Sequence, residues 1–501
     1  MIKKALQISL LGLLGSFVGF FCQILTAKYF GATSSYDLFV VASTYPLFVT
    51  GLITTSLNHY LIPEISKKTK KNFRNKFCFS ILLSFLFLSL FIACAGYLVS
   101  PFQMSYFGAS NSDEFIKIAQ IYWLATSLIP IISLFQSINI VGNNVNYVGK
   151  ANLIPVLTTL FLFLVFRDNF GLTLLAYSLL IGNIISLLYL VKFSINPINI
   201  YKLTITDYKC LKEFYKKIPL IILSILCYVI FQSSDVYWCK FLSASSLSYV
   251  SYSQRFLVAF TTLNISWPIQ VFLPHLSNSI NSGKKTDAMR NIIKIFRISA
   301  TLLIFQCVFF YFYSENIISI LLERGLFDSL ATKNVSGLLE VSIFSSIFFS
   351  GSVVLLRYLF AEGNYKSTAA SGLFITIIYF GLSGMLTKYF GVIGLSIAFV
   401  LSWCLFFIKL LLNVFKGQWQ LIINTENYLF LKNLAICSVM HIAFSFILRH
   451  FYIIIFKENF FTFIDLAVIF SITFIFFIFL TLKVSPIFEI KEFFGKFSKN
   501  V

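Results

Sequence analysis

Apolar runs of membrane-spanning length follow one another from residue 5 to residue 482, separated by short polar gaps. They fall near 5–27, 37–62, 77–100, 116–142, 153–166, 172–194, 218–238, 249–274, 297–314, 335–360, 368–387, 391–415, 434–455 and 461–482, with the fifth the shortest. About 20 apolar residues in a helix cross a hydrocarbon core, so the pattern predicts an all-α polytopic membrane protein of about 14 transmembrane helices. A membrane β-barrel would instead show short segments of alternating polarity. The first run, Ala5 to Ala27, lacks a small-residue cleavage site and reads as a span rather than a cleaved leader. No gap leaves room for a folded extramembrane domain, so any chemistry is expected among the helices.

Composition agrees with this. The 501 residues are 58% hydrophobic and 12% charged, against about 25% charged in soluble domains. The net charge of +20 raises nucleic acid as a partner, but its distribution argues against one. The basic residues cluster in gaps such as Lys67-Lys-Thr-Lys-Lys71, beside the spans. With the N-terminus in the cytoplasm and the spans alternating, cytoplasmic segments hold most of the Lys and Arg, as the positive-inside rule requires. Both termini are then cytoplasmic. The cysteines sit mostly in apolar runs (Cys22, Cys94, Cys227, Cys307, Cys404) without metal spacing, and read as small buried hydrophobes. No GxxxxGK[ST] loop occurs, which speaks against direct coupling to ATP.

The polar landmarks repeat. Lys28-Tyr-Phe-Gly-Ala-Thr-Ser-Ser, an apolar stretch and Leu61-Ile-Pro-Glu-Ile-Ser66 correspond to Lys240-Phe-Leu-Ser-Ala-Ser-Ser, an apolar stretch and Phe272-Leu-Pro-His-Leu-Ser277. Asn146-Tyr147 matches Asn364-Tyr365, and Phe170-Gly171 matches Phe390-Gly391, as the offset drifts from 211 to 220 residues. Spans 1–6 therefore correspond to spans 7–12. Six spans per copy is an even number, so both copies insert the same way, which is the parallel repeat of a two-lobed transporter. The expected organisation is an N-terminal six-helix lobe (1–195), a basic cytoplasmic linker (196–217), a C-terminal six-helix lobe (218–415), and two additional helices with a cytoplasmic tail (416–501).

Charges inside spans are expensive and usually face a cavity, although those near span ends also snorkel to the headgroups. Asp37 opens span 2, and Asp235 lies near the end of span 7. Arg255 lies about two turns into span 8, Glu340 and Arg357 in span 10, and Asp465 in span 14. Asp235 and Arg255 are opposite charges on consecutive helices, and the sequence leaves open whether they pair and whether such a pair would be structural. His59 and His275 occupy corresponding span ends. They invite a proton-coupling role, against the ordinary reading of satisfied interfacial histidines.

Three ordered motifs resemble the MurJ/MviN family of lipid II flippases, within the multidrug and polysaccharide-lipid exporter superfamily. They are Ala27-Lys-Tyr-Phe-Gly-Ala-Thr-Ser-Ser-Tyr-Asp37 with Pro46; Tyr252-Ser-Gln-Arg255 with Val271-Phe-Leu-Pro-His-Leu-Ser277; and Ile320-Leu-Leu-Glu-Arg-Gly-Leu-Phe327. The resemblance implies two six-helix lobes around a central cavity, with spans 13 and 14 forming a groove for a lipid tail. The implied partners are membrane lipids and an undecaprenyl-diphosphate-linked saccharide, flipped across the bacterial inner membrane. The expected molecule is a monomeric transporter, not an enzyme. It needs no bound cofactor, and the membrane potential or an ion gradient supplies the drive. Arg255, Asp37 and Asp235 are the substrate-binding candidates, Arg255 toward the diphosphate. Glu323, Arg324 and Gly325 form the family loop motif.

The sequence also departs from the family. Positions where its members place arginines read Ser16, Cys22, Thr50 and Gly51, and the span-11 asparagines associated with a sodium site in some members read Tyr379 and Ser383. Arginine forks are natural ligands of a diphosphate, so an O-antigen or capsule repeat unit stands as the alternative substrate. A cation-coupled drug exporter would need acidic residues deep in the first lobe, where Asp37 is the one candidate. A polysaccharide polymerase would need a sizeable outer loop. The longest, about 315–334, carries Glu323, Arg324 and Asp328 but is short.

Overall fold

The computed structural model describes residues 2–66, 71–107, 113–142, 144–193, 230–231, 233–261, 285–362, 364–456 and 462–484. Among these residues every regular element is a helix. The chain runs through α1 (Ile2–Phe30), α2 (Ser34–Ser66), α3 (Lys71–Tyr106), α4 (Asp113–Ser127), α5 (Ile129–Val141), α6 (Val145–Phe170) and α7 (Thr173–Phe193). Parts of two helices follow, α8 at 233–239 and α9 at 246–261. Then come α10 (Lys285–Leu322), α11 (Ser329–Ser342), α12 (Ser345–Glu362), α13 (Tyr365–Phe390), α14 (Val392–Val414), α15 (Thr425–Phe456) and α16 (Phe463–Val484). Nine of the described helical stretches are long and apolar enough to cross a membrane, and the bent α11–α12 pair makes a tenth. Parts of spans 7 and 8, the basic linker at 196–217, the Pro274 landmark and His275 lie outside the described residues, as does the side chain of His59.

The repeat is visible in the helix lengths. A 36-residue α3 corresponds to the 38-residue α10. Each is followed by a span in two pieces, α4 with α5 and α11 with α12. Then come α6 and α13, 26 residues each. Both of these end at a glycine in the left-handed region, Gly171 with φ 54° and Gly391 with φ 59°. That conformation stops a helix and is cheap for glycine alone, which explains the Phe-Gly landmark. Asn364 caps α13 by accepting the Ser367 N–H at 3.3 Å. Asn144 likewise stands directly before α6.

The two breaks differ in cause. Between α4 and α5, Pro130 stands in the first turn of the new helix, where its missing N–H is harmless. Between α11 and α12 there is no proline, and the axis turns by 50°. There the hydroxyl of Ser345 donates to the Ser342 carbonyl at 2.6 Å, a side-chain bond that competes with the backbone ladder.

The chain divides into two compact units, Met1–Ser248 and Tyr249–Val501. In the first, α6 packs along α7 and α1, and α2 along α4 and α5. A Cβ on Gly182 of α7 would come within 2.5 Å of the Pro155 Cα of α6. Small residues allow that close approach in lipid, where packing rather than water exclusion joins helices. In the second unit, α13 packs along α14, as α6 does along α7. There α10 is the central helix, touching α11, α12, α15 and α16.

Candidate functional site

Helix α2 begins in an ordinary way. Thr33 precedes its first residue, and the Thr33 Oγ1 accepts the Tyr36 N–H at 3.3 Å, so a side chain at the N-cap satisfies an amide of the first turn. Asp37, one position further on, is then free of that duty. Its carboxylate turns to α9. There the Ser248 N–H donates to the Asp37 Oδ1 at 2.6 Å. The Ser248 hydroxyl also reaches this oxygen and lies 3.2 Å from the Thr33 carbonyl.

The geometry at the start of α9 explains the need. Ser245, directly before its first residue, has φ 70°, whereas an N-cap residue sits in the extended region. Ser243 bonds Ser246 through their hydroxyls at 3.0 Å. The Ser248 amide therefore finds its acceptor on Asp37 instead of on a local cap. A carboxylate on first-turn amides also meets the positive end of the helix dipole. Asp37 and Ser248 lie 211 residues apart, one short of the 212 that separates Lys28 from Lys240 and Ala32 from Ala244, so the contact joins corresponding first turns but not equivalent residues.

Two neighbours complete this end of the first unit. Asp235 on α8 is buried, 3% exposed, and Cys239 lies one turn along on the same face, within electrostatic reach of both Asp235 and Asp37. The Lys240 ammonium donates to the Tyr106 carbonyl at the end of α3, at 2.6 Å, and lies 4.1 Å from the Tyr106 ring centroid. The repeated lysine is thus a C-terminal cap with a cation–π contact.

Arg255 lies in the second unit, half-buried on α9. Buried Tyr252 and Phe256, one turn apart, hold that helix. Tyr252 meets Phe327 edge-on at 5.4 Å. Phe256 stacks on Phe260, which packs on Phe310 of α10 at 4.6 Å. Asp235 falls in the first unit and Arg255 in the second.

The Glu323-Arg324-Gly325 loop is built to hold this anchor. Glu323 accepts the Thr332 hydroxyl at 2.8 Å, and Arg324 bonds back to the Ile320 carbonyl. Gly325 takes φ 67°, and Asp328 caps α11 through the Ala331 N–H at 2.8 Å. These bonds place Phe327, 1% exposed, against Tyr252. The motif's contacts are therefore those of a folded turn.

Two other in-span carboxylates, Glu340 and Asp465, also have local partners. Glu340 accepts the Ser314 hydroxyl at 2.7 Å, tying α11 to α10. Asp465 accepts the Thr462 N–H at 2.8 Å, closing a capping box at the start of α16. Arg357 is exposed on α12. Sequence reasoning picked out Asp37 but missed Ser248, because a serine in an apolar run carries no charge to mark it.

The described residues thus form a helical membrane protein of two units, with broken spans and a further helix pair, α15 and α16, at its end. The fold matches "Lipid II flippase MurJ, inward closed conformation" with TM-score 0.72 at 21% identity, over 97% of this chain and 99% of that one. It matches a MOP superfamily transporter from Pyrococcus furiosus with TM-score 0.63 at 12% identity, over 84% of this chain and 96% of that one. The chain belongs to the lipid II flippase MurJ family, whose model matches residues 26–471. The probable lipid II flippase MurJ of Buchnera aphidicola subsp. Baizongia pistaciae is 26% identical over 90% of this chain and 94% of its own length. That of Thermotoga maritima is 25% identical over 82% and 85%.

Proposed function

We propose that this chain translocates lipid II, an undecaprenyl-diphosphate-linked saccharide, across a bacterial inner membrane by alternating access. Family membership over most of the chain supports the substrate, and it favours lipid II over the O-antigen or capsule alternative. The contact that carries the mechanism is the Asp37 cap on the Ser248 amide. A cap supplied by another helix can be released without unfolding either one, at a cost of about 1 kcal/mol, which suits a latch that opens in each cycle.

In this reading Arg255 meets the diphosphate, since a guanidinium fork matches phosphate oxygens. Asp37 and Asp235 set the charge and the latch at their end of the first unit. Both termini are cytoplasmic, and the chain works as two six-helix lobes with α15 and α16 outside them. Movement of an anionic headgroup outward is then favoured by the membrane potential, by about 2.3 kcal/mol per charge per 100 mV. No bound cofactor is invoked.

Expression in a strain depleted of its essential lipid II flippase tests the substrate. Growth rescue with accumulation of outward lipid II is expected. Well-expressed protein without rescue sinks the assignment and returns the O-antigen or capsule unit. Arg255→Ala is expected to remove rescue, and unchanged turnover at normal expression removes Arg255 from the site.

A further inference from the structure

The second unit contains a cavity of about 310 Å³ between α10, α12, α14 and the start of α15. Its wall is apolar, with Ile292, Phe296, Val354, Leu411 and Phe430 among its residues. Two polar side chains join them, Arg297 and Asn427. No residue of α16 lines it, so it is separate from a groove formed by α15 and α16. Leu431 also lines it while 58% exposed, beside exposed Tyr428 and Leu429, so the mouth lies on the apolar outer face of α15.

Arg297 decides what this cavity suits. An arginine in an apolar wall is costly unless its charge is matched. Its side chain is 8% exposed, and its Nη1 donates to Glu426 at 2.8 Å. Asn427 Oδ1 accepts from its Nε at 3.0 Å. Yet the Glu426 side chain is 73% exposed, so it reaches in from the mouth, where water screens its charge. Lys294 lies within electrostatic reach of the same carboxylate, and Lys416 and Lys432 follow lining residues Phe415 and Leu431 directly in sequence. Arg297 and Lys294 beside an apolar slot suit an amphiphile with an anionic head and a hydrocarbon chain. Guanidinium binds phosphate as readily as carboxylate.

We infer that this cavity takes one acyl chain of an anionic bilayer phospholipid, whose phosphate replaces Glu426 on Arg297. The occupant is a membrane lipid rather than the transported molecule, so the inference does not depend on the substrate proposed above. It places a lipid-sensitive joint where α15 meets α10.

The test uses the purified full-length chain, freed of lipid in detergent. Dioleoylphosphatidylglycerol and dioleoylphosphatidylcholine are titrated separately and bound lipid is counted by native mass spectrometry. One phosphatidylglycerol is expected to bind about five-fold or more tightly than phosphatidylcholine. Glu426→Gln removes the competing charge while keeping a side-chain carbonyl that can accept the Arg297 Nη1–H; its melting temperature is compared with the parent's. This variant is expected to tighten phosphatidylglycerol about two- to five-fold, the worth of an exposed ion pair, and to leave phosphatidylcholine unchanged. Leu411→Trp fills the slot and is expected to abolish both. Equal binding of the two lipids, or a Glu426→Gln protein that binds phosphatidylglycerol no better than the parent, overturns the inference. Displacement of phosphatidylglycerol by an equal concentration of undecaprenyl phosphate also overturns it, because the slot then belongs to a polyprenyl chain.

Discussion

The starts of α2 and α9 are copies of one segment, and they solve the same problem in different ways. In the first copy, α1 ends at Phe30, three residues make the turn, and Thr33 caps α2 itself. In the second, the turn spans residues 240–245, Lys240 leaves the helix to cap α3, and Ser245 takes a left-handed conformation. The helix that follows takes its acceptor from Asp37 of the first copy. The second copy has the longer turn and lacks the local cap that the first copy has, so the stability of one helix end depends on another helix.

Breaking that asymmetry should have the largest effect. Ser248→Asp places two carboxylates at the contact, where like charges repel. Complementation of a flippase-depleted strain is expected to fail with the protein still in the membrane, and full growth would remove this contact from the mechanism. Asp37→Ala is next. Loss of a cap is worth about 1 kcal/mol, so exchange of the Ser248 amide should quicken about five-fold by hydrogen–deuterium exchange. Asp37→Asn, which keeps an acceptor, should show a smaller change.

Thr33→Ala sharpens the contrast between the two caps. It removes a comparable bond that joins α2 only to itself, so it should lower the melting temperature while transport persists. If Thr33→Ala and Asp37→Ala impair transport equally at matched expression, the distinction between own and borrowed cap disappears. The smallest effect is expected from Ser245→Gly, which relieves a left-handed non-glycine residue. A gain of up to about 1 kcal/mol should appear as a slightly raised melting temperature, with transport unchanged.

Much of the fold was legible because lipid forces it to be. Spanning helices must be long and apolar, and their lengths show in the sequence. The Phe-Gly landmarks were legible for a related reason, since Gly171 and Gly391 meet a backbone demand that few other residues meet. The breaks in spans 4 and 10 escaped sequence reasoning. Both halves of each are apolar; Pro130 was a readable signal in span 4 that was not used, whereas Ser342 and Ser345 look like any serines in an apolar run. At the site, Asp37 was visible as a charge in a membrane. Ser248, and the buried Arg297 with its Asn427 and Glu426 partners on another helix, were visible only once the chain had folded.

Hydrophobic periodicity and repeated polar landmarks thus determined by themselves that this chain is a helical, duplicated membrane transporter, because burial in hydrocarbon acts on each segment locally. Which amide Asp37 caps, what Glu323 and Asp328 hold in place, and where a chain-sized cavity opens beside Arg297 were decided by tertiary structure alone. The Asp328 cap and the Glu323–Thr332 bond are local, but what they hold, Phe327 against Tyr252, joins two packed segments, as do the Asp37 and Arg297 contacts, and no local pattern encodes which surfaces will meet.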